Sequence, residues 1–374
     1  MAPLIITMKQ NSYFDCKVCI TAQHRQLLDQ ALNFFEIVPD YDLNLMSANQ
    51  DLYDLSSRIL LGLREIYQSL KPDLVFVHGD TTTSTIAALA SFYSKIQVAH
   101  VEAGLRTYDL SSPFPEEANR QLTSRISNWH FAPTELSKDN LLKEGIDEKK
   151  IIVTGNTVVD SLFWTLEKIK NDKLIMDSVI NELKDSSLPL EILTSLSDSK
   201  IVLITGHRRE NFGSNFINIC KAIKVLSEKN PNTVFIYPMH YNPNVRNSVD
   251  KVFGTALERS KNYKNIFFIE PLSYCPFVFL MEKSTIILTD SGGIQEEAPS
   301  IGKPVLVMRD TTERPEAIDA GTVKLVGTDQ HKIVKEVSEL LNVDSVYNQM
   351  KKAHNPYGDG KSSQRICNFL MDLK

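Results

Sequence analysis

Three acidic residues stand where short apolar runs give way to polar turns. The run at residues 74–78 ends in Gly79-Asp80-Thr81-Thr82-Thr83, and the run at 97–101 ends in Glu102-Ala103-Gly104-Leu105-Arg106. Shortly after, Pro113-Phe114-Pro115-Glu116-Glu117-Ala118-Asn119-Arg120 opens a helix-like stretch. Carboxylates held near one ligand can trade a proton with it as general acid and general base. Glu116 and Glu117 are also ordinary partners of a helix N-terminus, so the convergence of Asp80, Glu102 and Glu116 carries the reading rather than any one of them.

A second group suits an anion. In Thr289-Asp290-Ser291-Gly292-Gly293-Ile294-Gln295-Glu296-Glu297 an apolar strand ends, two glycines turn the chain and a helix begins. Glycine allows close backbone approach, and free N–H groups at a helix start favour a diphosphate. The spacing matches neither a Walker loop nor the dinucleotide fingerprint, so an anion site and a plain turn both remain open. Arg309-Asp310-Thr311-Thr312-Glu313-Arg314-Pro315-Glu316 lies beyond the next apolar run, where open α/β sheets bind ligands, and a solvated charged loop would look the same. Thr205-Gly206-His207-Arg208-Arg209-Glu210-Asn211 adds a potential acid or electrophile with phosphate-binding cations. Pro238-Met239-His240 reads as a structural turn, and His78 and His100, inside apolar runs, as core histidines. Cys16-x-x-Cys19 lies in a strand-like run with no second pair to complete a zinc site, and neither H-E-x-x-H nor G-x-S-x-G occurs.

These groups need a scaffold that brings loops to one edge, and the alternation of short β-branched runs with helical periods supplies one. Strands are expected at 16–21, 74–78, 97–102, 129–132 and 151–153, with helices at 27–35, 52–70, 83–93, 116–127 and 136–144. Residues 171–199 turn polar and read as a surface connection. The pattern restarts with strands at 201–205, 233–237, 266–269, 285–289 and 304–308, and helices at 217–228, 276–283, 294–300 and 333–341. The expected fold is α/β, with two Rossmann-like doubly wound domains facing a cleft, over 1–170 and 200–360. A final helix in 361–374, apolar at Ile366, Phe369, Leu370 and Leu373, is expected to pack back on the first domain. The chain opens into a helix-like segment at 2–9 without a strand ahead of it.

Composition narrows the function. With 41 Lys+Arg against 46 Asp+Glu in 374 residues the net charge is −5, which excludes a basic nucleic-acid footprint. No apolar run approaches the ~18 residues needed to span a bilayer, and residues 1–8 make a poor signal peptide. Five scattered cysteines fit reduced thiols, so a cytoplasmic protein is expected.

The chain resembles the bacterial non-hydrolysing UDP-N-acetylglucosamine 2-epimerases. The matching segments are TAQHRQLLDQ, VHGDTTT, HVEAGLRT, SPFPEEANRQ, TGNTVVDSL, TGHRREN, LTDSGGIQEEAPS, GKPVLVMRDTTERPE and NPYGDG, in order from Thr21 to Gly360. The resemblance implies the two-domain arrangement called GT-B. It also implies reversible C2 epimerisation to UDP-N-acetylmannosamine, for surface polysaccharide precursors, without NAD or metal. Asp80, Glu102 and Glu116 would be the carboxylates, with His207 near the diphosphate. Ser291, Gly292, Gly293 and Arg314 would hold the phosphates, Glu297 the ribose, and Phe277 would lie by the uracil. Gln23, His24, Arg25 and Gln26 match a segment that binds a second UDP-N-acetylglucosamine as activator, and a homodimer is the family habit. The family's first strand and G-T-R-P-E-A loop have no counterpart ahead of Met1, which reads as a late-assigned start or a truncated form. A hydrolysing relative, a GT-B glycosyltransferase and a nucleotide-binding form without turnover are the competing expectations.

Overall fold

The computed structural model describes residues 1–22, 25–45 and 50–373, which group into two units. One unit comprises Met1–Ser161 with Tyr357–Lys374, and the other Leu162–Pro356.

The first unit holds β1 (Cys19–Ile20), β2 (Tyr41–Asp42), β3 (Leu74–His78), β4 (Gln97–Val101), β5 (Trp129–Ala132) and β6 (Ile151–Val153). β3 to β6 form a parallel sheet in sequence order, while β1 and β2 pair as a separate parallel ribbon. Side chains alternate across a strand, and β3 shows it. Leu74 and Phe76 pack with Leu4, Met8, Phe131, Ile366 and Leu370, whereas Val75 packs with Leu55, Ile59, Leu63 and Tyr67. Helices therefore cover both faces. The last helix, Ser362–Asp372, is seated by Asp160, whose carboxylate accepts the Ser362 and Ser363 backbone N–H groups at 3.1 and 2.7 Å.

The sheet also buries His100 and His130 and half-buries His78, and loss of hydration pushes the pKa values of His78, His100 and His130 down to about 3, 4 and 3. An unfolded chain takes up protons near pH ~6.5 while these folded imidazoles stay neutral. Stability is therefore expected to fall as pH drops from ~6.5 towards ~4.5, by up to ~1.4 kcal/mol per pH unit for each ring. Thermal melts across that window check this, and a flat melting temperature would show that the rings do not stay neutral in the fold.

The second unit carries β7 (Lys200–Thr205), β8 (Thr233–Pro238), β9 (Ile266–Ile269), β10 (Ile286–Thr289), β11 (Val305–Val307) and β12 (Val323–Leu325). They form one parallel sheet in the order β12-β11-β10-β7-β8-β9. The order reverses between β7 and β10, which is the doubly wound switch point. β7, β8 and β10 are almost wholly apolar and buried, as strands covered on both faces must be.

Two expectations need correction. Residues 171–199 are not a bare connection: helices Lys173–Asp185 and Leu190–Ser195 occur there and bury Val179, Leu183 and Leu193. Strand 16–21 is reduced to Cys19–Ile20, because pairing with Tyr41–Asp42 extends over only two residues.

Candidate functional site

In the first unit Asp80 and Glu102 lie just past the carboxyl ends of β3 and β4, and Glu116 opens the helix whose Arg120 reaches Asp80. Asp80 follows Gly79, and its Oδ2 accepts from Arg120 Nη2 at 2.6 Å, while Asn119 Nδ2 donates to the Asp80 carbonyl at 2.9 Å. Glu102 adopts a left-handed backbone, φ 65°, which costs a non-glycine residue energy and marks a constrained position. Its Oε2 accepts from Asn156 Nδ2 at 2.8 Å. Gly79 takes a left-handed φ of 64°, which favours glycine, and a Cβ there would stand 3.0 Å from Glu102 Oε1. Glu116 is the first residue of helix Glu116–Ile126 and half-buried. Arg120, one turn on, lies on the same helix face and carries the contact to Asp80.

Glu117 differs from its neighbour. It is fully buried and accepts from Thr107 N, Tyr108 N, Gln121 and Arg120 at 2.9, 3.2, 2.9 and 3.1 Å. Burial raises its pKa, but these hydrogen bonds outweigh burial and hold it below the usual value. Glu117 is committed to anchoring the loop that follows Glu102. Sequence reasoning passed over Arg120, Asn119 and Asn156, although all lie in segments quoted above; their role comes from where their side chains land.

In the second unit the groups collect at the switch point. His207 follows β7, and Asp290-Ser291-Gly292-Gly293 follows β10. Thr205 and Thr289 hydroxyls pair at 2.6 Å where the two strands end. A Cβ on Gly292 would meet Arg314 Nη1 at 2.6 Å, so the guanidinium lies close against this glycine. Arg314 is pinned by Glu296 through Nε and by Glu313 through Nη1, both at 2.5 Å. Burial raises the Glu313 carboxyl, but Arg314, Arg309 and Arg208 overcome it and hold the pKa at about 2. Glu297 is buried and takes the Tyr274 hydroxyl at 2.7 Å; burial pushes its pKa up to about 7. Phe277 stays half-exposed on helix Tyr274–Lys283, on the face shared with Tyr274 one turn earlier. Tyr274 and His240 were not singled out as site residues; His240 stacks on His207 with ring centroids 5.2 Å apart.

Of the activator segment, Gln23 and His24 lie outside the described residues. Arg25 opens helix Arg25–Phe34, which also contains Gln26, and it pairs with Asp29 at 3.0 Å and with Asp42.

One unit has a parallel sheet with a glycine-and-arginine turn at its switch point and the other has carboxylates at the carboxyl edge of its parallel sheet, which is the make-up of a nucleotide-binding α/β enzyme. The family model described as UDP-N-acetylglucosamine 2-epimerase matches residues 6–371. The chain belongs to that family. It is 52% identical over 374 residues to a Salmonella typhimurium protein named UDP-N-acetylglucosamine 2-epimerase, covering 100% of this chain and 95% of the relative. A Campylobacter jejuni protein of the same name is 50% identical, with 100% and 94% covered. The Neisseria meningitidis UDP-GlcNAc 2-epimerase crystallised with UDP-GlcNAc matches with a TM-score of 0.87 and 50% identity, over 99% of this chain and 95% of that one.

Proposed function

We propose that the chain interconverts UDP-N-acetylglucosamine and UDP-N-acetylmannosamine by eliminating and re-adding UDP through 2-acetamidoglucal. The observation that carries this reading is the division of chemistry between the units: proton-handling carboxylates in one, cations and N–H donors for a diphosphate in the other. The C2 hydrogen of the sugar is not acidic, so a direct deprotonation is closed. Cleavage of the C1–O bond sends its electron pair to the UDP oxygen as the C2 proton leaves, forming the C1–C2 double bond. Re-addition reverses both changes, with the proton delivered to the opposite face.

Asp80, Glu102 and Glu116 serve the C2 proton. Arg120 beside Asp80 and Asn156 beside Glu102 fix the two carboxylates in place. His207, Arg314 and the backbone of Ser291, Gly292 and Gly293 stabilise the departing diphosphate. Glu297 takes the ribose hydroxyls, and Phe277 offers its ring face to the uracil. Incubation with UDP-N-acetylglucosamine, followed by NMR, tests this. The expected product is UDP-N-acetylmannosamine at equilibrium; exclusive release of free sugar and UDP would assign the chain to the hydrolysing relatives instead.

A second UDP-N-acetylglucosamine acts as activator at Gln23, His24, Arg25 and Gln26. Gln23→Ala is expected to flatten the dependence of the reverse reaction on added UDP-N-acetylglucosamine while keeping the unactivated rate, and rate curves with and without activator check it. A homodimer is supported by exposed Leu61, Phe92 and Leu122 on adjacent helices, at 53, 61 and 55% exposure. Among the described residues no helix is long and apolar enough to cross a membrane. A cytoplasmic setting is supported by the free thiols of Cys16, Cys19, Cys220, Cys275 and Cys367.

A further inference from the structure

The carboxylate at the switch point of the second unit is only half used. Asp290 is 0% exposed, and its Oδ2 accepts from the His207 and Arg208 backbone N–H groups at 2.9 Å each and from Asn211 Nδ2 at 3.3 Å. Its Oδ1 is buried without a hydrogen bond, and His207 Nδ1 stands 3.5 Å away. That imidazole also stacks on the His240 ring, at an interplanar angle of 16°. His240 Nδ1 accepts the Asn242 backbone N–H at 3.0 Å, which leaves its own proton on Nε2 and the ring neutral. Burial, and then His207, push the His240 pKa down. Of the two stacked rings, His207 is the one whose Nδ1 faces a carboxylate oxygen.

We infer that Asp290 is a positioning residue that acts through His207: Oδ1 takes the Nδ1–H and so presents Nε2 to the ligand. In the neutral ring Nε2 is then an acceptor, and in the cation it is a donor to an arriving diphosphate. The inference rests on the role proposed for His207 and extends it to a residue that touches no substrate.

Asp290→Asn separates this from a structural role. Three donors converge on Oδ2, so the asparagine must keep its carbonyl oxygen there and turn its NH₂ toward His207 Nδ1. An amide N–H pairs only with an unprotonated Nδ1, which moves the ring proton to Nε2 and opposes the cation. The experiment uses the full chain labelled with ¹⁵N-histidine, with and without UDP, the His207 signal being assigned by its loss in His207→Gln. The wild-type protein is expected to show a proton on Nδ1, and on both nitrogens once UDP is bound; Asp290→Asn is expected to show the Nε2–H ring in both states. Turnover should fall by about 100-fold in Asp290→Asn, with little further loss when that change is made in a His207→Asn background. A wild-type Nε2–H tautomer, or losses that multiply in the double variant, would overturn the inference. Should Asp290→Asn not fold, the wild-type tautomer decides alone. Should the wild-type protein fail to epimerise, the proposed reaction fails while the tautomer and its response to UDP still read the pairing.

Discussion

Asp80→Asn, Glu102→Gln and Glu116→Gln are each expected to lower turnover by about 100- to 10,000-fold, the range for loss of a general acid or base, while UDP affinity stays near wild type. The structure makes these changes mild in every other respect. Arg120 keeps Glu117 at 3.1 Å when Asp80 loses its charge, so no buried cation is stranded. The carbonyl oxygen of Gln at position 102 can still accept from Asn156, and the glutamine chain is no larger than the glutamate it replaces. What each variant loses is the ability to exchange a proton at that position. Steady-state rates beside UDP calorimetry check the split, and near-normal turnover in all three variants would remove the carboxylates from the chemistry.

Gly292→Ala is expected to do the opposite, weakening UDP by about 10- to 100-fold, the loss of one or two charge-assisted hydrogen bonds, with a smaller effect on the turnover of bound substrate. The added Cβ would stand 2.6 Å from Arg314 Nη1 and 3.1 Å from Glu313 Oε1. A flexible arginine would ordinarily swing clear, but Arg314 is clamped between Glu296 and Glu313, each at 2.5 Å. The guanidinium can swing clear only by straining one of those pairs, Glu296 being 1% exposed and Glu313 12% at its side chain. Calorimetry with UDP measures the loss, and unchanged affinity would show that Arg314 does not hold the diphosphate.

Much of the scaffold could be read from apolar runs. Leu74–His78, Trp129–Ala132, Ile151–Val153 and Ile266–Ile269 form over the expected residues, because a short β-branched run in a sheet covered on both faces has few alternatives. Tyr41–Asp42 and Val323–Leu325 escaped, being two and three residues long and interrupted by charge, and only the neighbouring strand makes them strands. Helix Lys173–Asp185 was hidden by its polar composition, although Val179 and Leu183 stand four apart on its buried face. At the site, residue type and loop position pointed to Asp80, Glu102, Glu116, His207 and the Ser291-Gly292-Gly293 turn. The partners Arg120, Asn156, Tyr274 and His240 were not legible, since their sequence separations of 40, 54, 23 and 33 residues from Asp80, Glu102, Glu297 and His207 are closed only by the fold. Nor does sequence distinguish Glu116 from Glu117. The distinction comes from the backbone N–H groups that Thr107 and Tyr108 donate to Glu117.

In the proposed reaction the C2 proton leaves and returns while UDP departs and re-adds. Incubating the full chain with UDP-N-acetylglucosamine in D₂O and reading C2 by NMR and mass spectrometry tests it most directly. One deuteron at C2 is expected in the UDP-N-acetylmannosamine formed, and in recovered UDP-N-acetylglucosamine once the reaction has reversed. Epimerised product that retains its original C2 protium would contradict the mechanism.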